Sequence, residues 1–567
     1  MRAMYIAGTS YALWHALQLQ YVDQGIPVLP VSCATNNKRA KMLEYSLVVA
    51  DQVSKAWKEH GATPRRVIRF RAHVNRITSI RLIPGSKHSE YWVITGSVDG
   101  FVRVWDLYRA MRHSPSAVDV TDELEEDTLA IHAQEENAVL DDDSVTSVDP
   151  ETDIRRSSNA FLVAEVDTGG DVASIDAQVD EAARIIKIAV GSYYSSSACL
   201  LYELHIDAPP RFMDLRASLD PPEWGGTQCV SLLDDVVAVG AYTGRIHLLD
   251  WRTGERCALE LTERGSIAAL KLLPTHLLAV TRLGIVLVYE RHNTIQANLV
   301  ADHTISQRPI LSISFSDFAA DTQESRSCST STSTSDPGTG STAHLPPSLA
   351  FLCVDPICLT HWQWQHGTWK QCPKQLRCVE IRHERLVGAS IGASGRRGLL
   401  TSSLGGVPPM CLARAYSKDN VLCVIRPTPE MVVPDAEYAS SRYQKLASRV
   451  PLSSLVTTQA SPTAGLTSPT PPLPSSNWGP GSAPASVPPS APSSASPSAT
   501  ASTPCPRRVR VDSFSSTSTT SSTVPPPSSR VDMLTESAVD DARGIICLAS
   551  IRGAVWISDY GGALDTM

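Results

Sequence analysis

The stretch "GSVDGFVRVWDL", residues 96–107, decides the fold. Asp99-Gly100 is a hairpin turn signal, because Gly adopts a positive φ without steric penalty. After the turn, Val102 and Val104 alternate with Phe101 and Arg103, so the two pairs point to opposite faces of a strand. The run before it, "YWVITG", is rich in aromatic and β-branched residues, as strands are. An isolated hairpin is only marginally stable in water. This one needs further copies or a partner layer.

Copies exist. "TGRIHLLD" (243–250), "LGIVLVYE" (283–290) and "RGAVWISD" (552–559) align with it on the turn glycine. Two positions on stand Val102, Ile246, Val286 and Val555; four on stand Val104, Leu248, Val288 and Ile557. Six on, every copy is acidic: Asp106, Asp250, Glu290 and Asp559. Gly244 and Gly284 lie 40 residues apart, close to the roughly 40–45-residue period of a four-stranded propeller blade. Degenerate copies fit at 197–203 and 420–426, and a further strand pair lies within 349–362.

With the alignment made, "RAHVNRITSIRLIPGSKHSEYWVITGSVDGFVRVWD" (71–106) resembles one WD repeat. On that resemblance His73, Thr95, Asp99 and Trp105 are a hydrogen-bonded structural tetrad, although Ala72 stands where the family has Gly. The other copies lack the His–Trp pair: Leu249, Tyr289 and Ser558 occupy the Trp position. The expected fold is all-β, a WD-type β-propeller of about seven blades, near 66–108, 159–207, 226–252, 265–291, 308–365, 385–426 and 535–560. Its expected domain runs over 63–560, with disordered insertions near 111–158, 321–344 and 428–534. These are acidic, Ser/Thr-rich and Ser/Pro-rich, and bury too little apolar surface to offset ordering entropy.

A chain of 567 residues has room for such a domain and more. The net charge of −8 is uneven. Residues 119–153 hold 14 Asp or Glu and no Lys or Arg, which leaves the remainder mildly basic. Neither part calls for nucleic acid as a partner. The 13 cysteines are scattered, many in apolar strand contexts, without disulfide-framework spacing. That usage fits reduced thiols in the cytoplasm or nucleus. Residues 1–34 lack a continuous apolar core, so no secretory leader is expected, and no apolar run is long enough to predict a bilayer span.

Chemistry-bearing patterns are sparse. An Asp–His pair within the tetrad reads as structural, because no nucleophile accompanies it. "GASIG" (388–392) spells the nucleophile-elbow pattern but lacks a following helix. Cys353, Cys358, His361, His366 and Cys372 are spaced too loosely for a zinc site. No phosphate-cradling glycine loop occurs. "PRRVRVD" (506–512) is a short basic island, read as a solvated charge group or a docking patch. Ser461, Ser468 and Thr470 each precede Pro and offer proline-directed phosphorylation sites, and "PPLP" suits a polyproline groove; the plain alternative is a spacer. No catalytic residue, metal or cofactor is expected.

Residues 1–62 differ in kind. "SYALWHALQLQYV" has Leu13, Trp14 and Leu17 near one helical face. In "NKRAKMLEYSLVVADQVSKAWKEHG", Leu43, Leu47, Ala50, Val53 and Trp57 recur at three- and four-residue steps, and Gly61 and Pro64 end the helix. The "LWHAL" helix, the following Gly-Ile-Pro and this second helix resemble the tail of an F-box and the linker helix of fungal F-box proteins with WD-type propellers. The resemblance covers about 1–108. It implies a substrate receptor of an SCF-type ubiquitin ligase, with a Skp-type adaptor, a cullin and protein substrates as partners, and places Leu13, Trp14 and Leu17 near the adaptor. Only the tail of the roughly 45-residue F-box matches, so the adaptor-binding opening is expected either upstream of Met1 or lost. The alternative is a propeller scaffold for trafficking or signalling with no ubiquitin role.

Overall fold

The computed structural model describes residues 11–23, 28, 36–59, 61–85, 90–113, 161–193, 197–207, 213–219, 226–259, 265–316, 349–356, 358–365, 368–372, 376–377, 384–404, 410–417, 420–425 and 533–562. A separate unit, Ser440–Ser529, lies outside them. So do most of the three expected insertions, the basic island at 506–512, and Ser461, Ser468 and Thr470.

The described strands form seven antiparallel sheets. The first blade is β2 (Ile77–Pro84), β3 (Tyr91–Ser97), β4 (Phe101–Asp106) and β5 (Leu162–Asp167). The second runs from β6 (Asp171–Asp180) through β7 (Ile185–Tyr193) and β8 (Cys199–His205) to β9 (Met213–Leu219). The third is β10 (Thr227–Leu233) to β13 (Arg256–Leu259), and the fourth β14 (Ile267–Leu272) to β17 (Ala297–Thr304). β18 (Ser312–Phe315) to β21 (Thr368–Gln371), with β22 (Leu376–Arg377) added on β20 (Cys358–Gln365), make the fifth. β23 (Glu384–Ile391) to β26 (Asn420–Ile425) make the sixth. The first strand of each blade packs against the first strands of its two neighbours, so β2, β6, β10, β14, β18, β23 and β27 (Leu534–Asp540) surround a central channel.

The last blade corrects two expected boundaries. It consists of β27, β28 (Ile545–Ser550), β29 (Ala554–Asp559) and, as its outer strand, β1 (Arg66–Arg71) from the other end of the chain. β1 pairs antiparallel with β29, from Arg66 opposite Asp559 to Arg71 opposite Ala554. The repeat expected over 66–108 therefore begins one strand too early, because Arg66–Arg71 belongs to the closing blade. Its fourth strand, Leu162–Asp167, expected in the second blade, pairs with β4. The reason is mechanical: a ring closed by a shared sheet is held by backbone hydrogen bonds rather than by side-chain packing alone. Gly553 belongs to this closure. Its φ is +81°, and a Cβ there would strike the His73 carbonyl. That carbonyl sits so close because Ala72 and His73 both donate their N–H to the Gly553 carbonyl, at 2.8 and 3.0 Å.

Three helices accompany the sheets: α1 (Tyr11–Asp23), α2 (Asn36–Ala56) and α3 (Leu107–His113). The sequence stripe of α2 holds: Leu43, Leu47, Ala50, Val53 and, just beyond the helix, Trp57 are buried. Val49 joins them, and with Val53 and Trp57 it packs on Leu534, Ile546, Leu548, Trp556 and Tyr560 of the closing blade. Gly544 lets the helix approach, since a Cβ there would meet Val53. α1 packs on α2. In α1 the half-buried stripe is Trp14, Leu17 and Tyr21, and Leu13 faces solvent instead of sharing that face. Among the described residues no helix is long and apolar enough to cross a membrane.

Trp57 is 1% exposed and meets Tyr560 edge-on at 5.9 Å. Trp57→Ala should cost about 3–5 kcal/mol of unfolding free energy in urea titration. A loss below 1 kcal/mol would mean that α2 is not integral to the closing blade.

Candidate functional site: the first-blade network and the channel mouth

The four tetrad side chains meet. Asp99, in the β3–β4 turn, lies 3.1 Å through each carboxylate oxygen from His73 Nδ1, and also accepts the N–H of Val74 and of Phe101 at 3.1 Å. His73 Nε2 is 2.8 Å from Thr95 Oγ1, which accepts the Trp105 indole N–H at 3.0 Å. A neutral His73 with its proton on Nδ1 satisfies the whole chain: indole to hydroxyl, hydroxyl to Nε2, and Nδ1–H to carboxylate. Burial pushes the His73 imidazole below its ordinary range and outweighs the Asp99 carboxylate beside it. Burial works to raise Asp99, but the bonds from His73 and Phe101 hold its carboxyl below the usual range.

Arg103 was missed as a member. Arg69, Arg71, Arg76, Arg81 and Arg103 lie close together in sequence, but strand alternation sends them to different surroundings. Arg103 is 2% exposed, donates to the Ala72 carbonyl at 2.9 Å and pairs with Glu165 of the outer strand at 3.2 Å. Arg69 lies over the Trp556 ring, Arg81 turns toward Asp176 along the channel, and Arg76 stands at the mouth. The network ties four stretches of the first blade together and holds Trp105 in tilted ring contact with Phe70 of β1 and with Phe161. With His73 and Asp99 both enclosed, it reads as a fastening rather than a reaction centre.

The remaining sequence candidates fall on strands. Ser390 of "GASIG" sits within β23, 5% exposed, with its Oγ 3.1 Å from Ser537 Oγ, so no elbow presents it. Cys353 is buried in β19 (Ala350–Val354), its thiol pushed up to about 12 by desolvation. The Cys358 thiol donates to Asp355 at 3.1 Å, and His366 lies outside the described residues. Among the described residues no group of His, Cys, Asp or Glu is placed to hold a metal ion.

The exposed face that stands out is one mouth of the channel. In four blades, the residue opening the turn between the second and third strands donates its N–H to the residue just ahead of the first strand. Val98 donates to Arg76, Tyr242 to Gly226, Arg282 to Ser266 and Ile551 to Met533, at 2.8–3.0 Å. These bonds set the turn residues around the opening. Val98, Leu311, Met533 and Ile551 line a mouth cavity of about 580 Å³. Tyr242 and Leu283 extend the apolar collar along neighbouring turns. Of the 12 large apolar side chains exposed among the described residues, these are six, so exposed apolar surface is concentrated at this face. Inside the collar the wall is polar, with Arg76, Asp171, Gln228, Arg282 and Glu536. Arg282 is fixed to Gln228 at 3.0 Å.

No protein-family model matches the chain, and no curated protein matches it. Among solved structures it is similar to the β-propeller domain of Cps50 (Swd1) from Myceliophteria thermophila, at 14% identity and TM-score 0.35, over 61% of this chain and 84% of that one. A chain in a structure of the mitotic checkpoint complex is similar at 11% identity and TM-score 0.35, over 64% of this chain and 86% of that one.

Two outcomes test the first-blade network. Thr95→Val strands a buried indole N–H and a buried imidazole nitrogen, each worth about 1–3 kcal/mol, and should lower the urea midpoint accordingly. The unfolded chain protonates its imidazole below about pH 6.5, and the folded chain resists. Stability contributed by a neutral His73 is therefore complete above that pH and lost as pH falls below it. The stability gap between the wild type and His73→Asn should shrink between pH 7.5 and 5.5; a constant gap would contradict a neutral His73.

Proposed function

We propose that the chain is a non-catalytic protein-interaction module that holds a partner protein over the channel mouth. One observation carries this reading: a collar of exposed apolar side chains, Val98, Leu311, Met533 and Ile551, surrounds a polar cavity on a rigid ring. Apolar surface gathered on one face and rimmed with charge suits a protein partner. Turns on a stiff sheet scaffold suit recognition, because the backbone beneath them does not reorganise on binding.

The same reading extends to the other end of the molecule. α2 lies against the β27–β28 turn at Gly544, whereas the mouth collar uses the β28–β29 turn at Ile551. Successive turns of one meander fall at opposite ends of its strands, so the helices and the mouth occupy opposite faces. α1 exposes Leu13 and Leu19, and α2 exposes Val48. We infer that this helical pair, which resembles an F-box tail and linker, couples the propeller to a Skp-type adaptor and cullin, with Leu13 contacting the adaptor. The chain then serves as the substrate receptor of an SCF-type ubiquitin ligase, presenting a bound protein for ubiquitin transfer by another subunit.

The protein tagged at its C-terminus and purified from its native cells should bring down the adaptor and cullin at near-stoichiometric levels. Their absence, with other proteins retained, would leave a propeller scaffold without ligase association. Leu311→Asp combined with Met533→Asp should remove the mouth-bound proteins, leave adaptor and cullin in place, and leave the urea midpoint within about 0.5 kcal/mol of wild type, as exposed positions do. Retention of every partner by this variant would sink the mouth reading.

A further inference from the structure

β1 closes the ring and leaves one edge of its own open. It is the end strand of the closing blade, paired with β29 on one side and with no described strand on the other. Such an edge presents backbone N–H and C=O groups along its length. Its side chains alternate between two faces. Ile68 and Phe70 turn to the first blade and are buried there with Leu107, Ala110 and Phe161. Arg69 and Arg71 take the other face, opposite Trp556 and Ala554 of β29, and Arg65 continues that alternation just before the strand. All three arginines are exposed. Arg69 lies over the Trp556 ring at 5.5 Å, which fixes its charge at the surface. One face of an open-edged strand is therefore lined with positive charge. Like charge along an edge keeps a second strand of the same kind away and favours a segment of opposite sign.

The chain holds such a segment, and it starts and ends beside this strand. Residues 114–160 run from the end of α3 to Phe161 and contain the tract 119–153, with 14 Asp or Glu and no Lys or Arg. Leu107 and Ala110 of α3 at one exit, and Phe161 at the other, pack with Ile68 and Phe70 of β1. Phe161 meets Phe70 edge-on at 4.9 Å. Asp119 follows His113 by six positions, an extended reach of about 20 Å. Crossing a sheet from one face to the other takes about three residues. Three other described cations near the exits are already paired: Arg103 with Glu165 at 3.2 Å, Arg109 with Asp106 at 3.3 Å and Arg543 with Asp540 at 2.8 Å. We propose that the acidic tract docks on the arginine face and open edge of β1, within the same molecule. Exposed ion pairs are individually weak, but a tether anchored at both ends holds the tract at an effective concentration of about a millimolar. Docking is then reversible and salt-sensitive, because screening shortens the range of exposed charges from about 10 Å at 0.1 M salt to about 3 Å at 1 M. It involves no residue of the channel mouth.

The test joins carboxylates directly to amines with a water-soluble carbodiimide, in Arg65→Lys and Arg71→Lys variants of the full chain. Both positions are exposed, so the urea midpoints should match that of the wild type. Equal amounts of isotope-labelled and unlabelled protein are mixed beforehand, so mass spectrometry separates joints within one molecule from joints between two. The expected result is joints from positions 65 and 71 to residues 119–153 within one molecule. They should be about tenfold more abundant than joints to the same tract from Lys370, an exposed amine on the fifth blade. Raising the salt from about 0.05 M to about 1 M should reduce them about tenfold. A second measurement leaves β1 unaltered. Phenylglyoxal should modify Arg71 about tenfold faster once Asp119, Asp122, Glu123, Glu125, Glu126 and Asp127 are replaced by Asn or Gln. Yields no greater than from Lys370, joints mainly between labelled and unlabelled molecules, or joints mainly to carboxylates outside 119–153 would each overturn the docking. So would an Arg71 rate that neutralising the tract leaves unchanged.

Discussion

Ring closure through β1 is the constraint on which the rest depends. A propeller whose last blade ended with its own sequence would meet its first blade through side chains alone. Here the strand Arg66–Arg71 leaves the N-terminal side of the ring and completes the blade built from the C-terminal side. Everything near that seam is arranged around it. His73 follows directly and is held to the Gly553 carbonyl through its own N–H. Phe70 on the closing strand meets the tilted ring of Trp105 of the first blade at 4.9 Å. Thr535 of β27 donates to the Ile77 carbonyl at 2.8 Å, and Tyr91 donates to Asp540 at 2.9 Å, so the seam is bridged along the channel and at the opposite face. The tetrad is thus placed in the blade next to the closure, where one extra polar network fastens a junction that covalent continuity does not.

A second constraint is the inner edge. Seven first strands turn one edge toward the channel, where neighbouring strands diverge too much to pair. Short oxygen-bearing side chains answer this, because a serine reaches across to the next blade without filling the channel. Where the position is Cys229, Ala269 or Gly388 the device is absent, and the Cys229 thiol makes only a long contact of 3.8 Å to the Ile267 carbonyl. The channel wall is therefore polar in detail rather than by average.

The helical pair and the mouth divide the molecule's surface. α2 spends its apolar stripe on the closing blade and adds packing where the chain's two ends meet. The mouth retains apolar side chains that no described element covers. The two faces are separated by the length of a blade strand, so one can be occupied without obstructing the other. That separation is what a protein joining two partners requires, and it follows from the meander alone.

Local chemistry made much of this legible. The Asp99-Gly100 turn, the alternating apolar strands and the acidic residue six positions after each turn glycine identify the repeat without any neighbour being known. The stripe Leu43, Leu47, Ala50, Val53 and Trp57 identifies a helix that must be covered. His73, Thr95, Asp99 and Trp105 come together as the repeat pattern implies. These depend on period and turn geometry, which are written in consecutive residues. Tertiary structure decided which strand completes which blade, because an outer strand's partner is chosen by ring closure between chain ends about 490 residues apart rather than by its own sequence. It also decided that Arg103 is buried while Arg76 is not, and that Leu13 faces away from Trp14 and Leu17. Each of those outcomes is set by what stands across a gap in space, which one sequence read along its length does not contain.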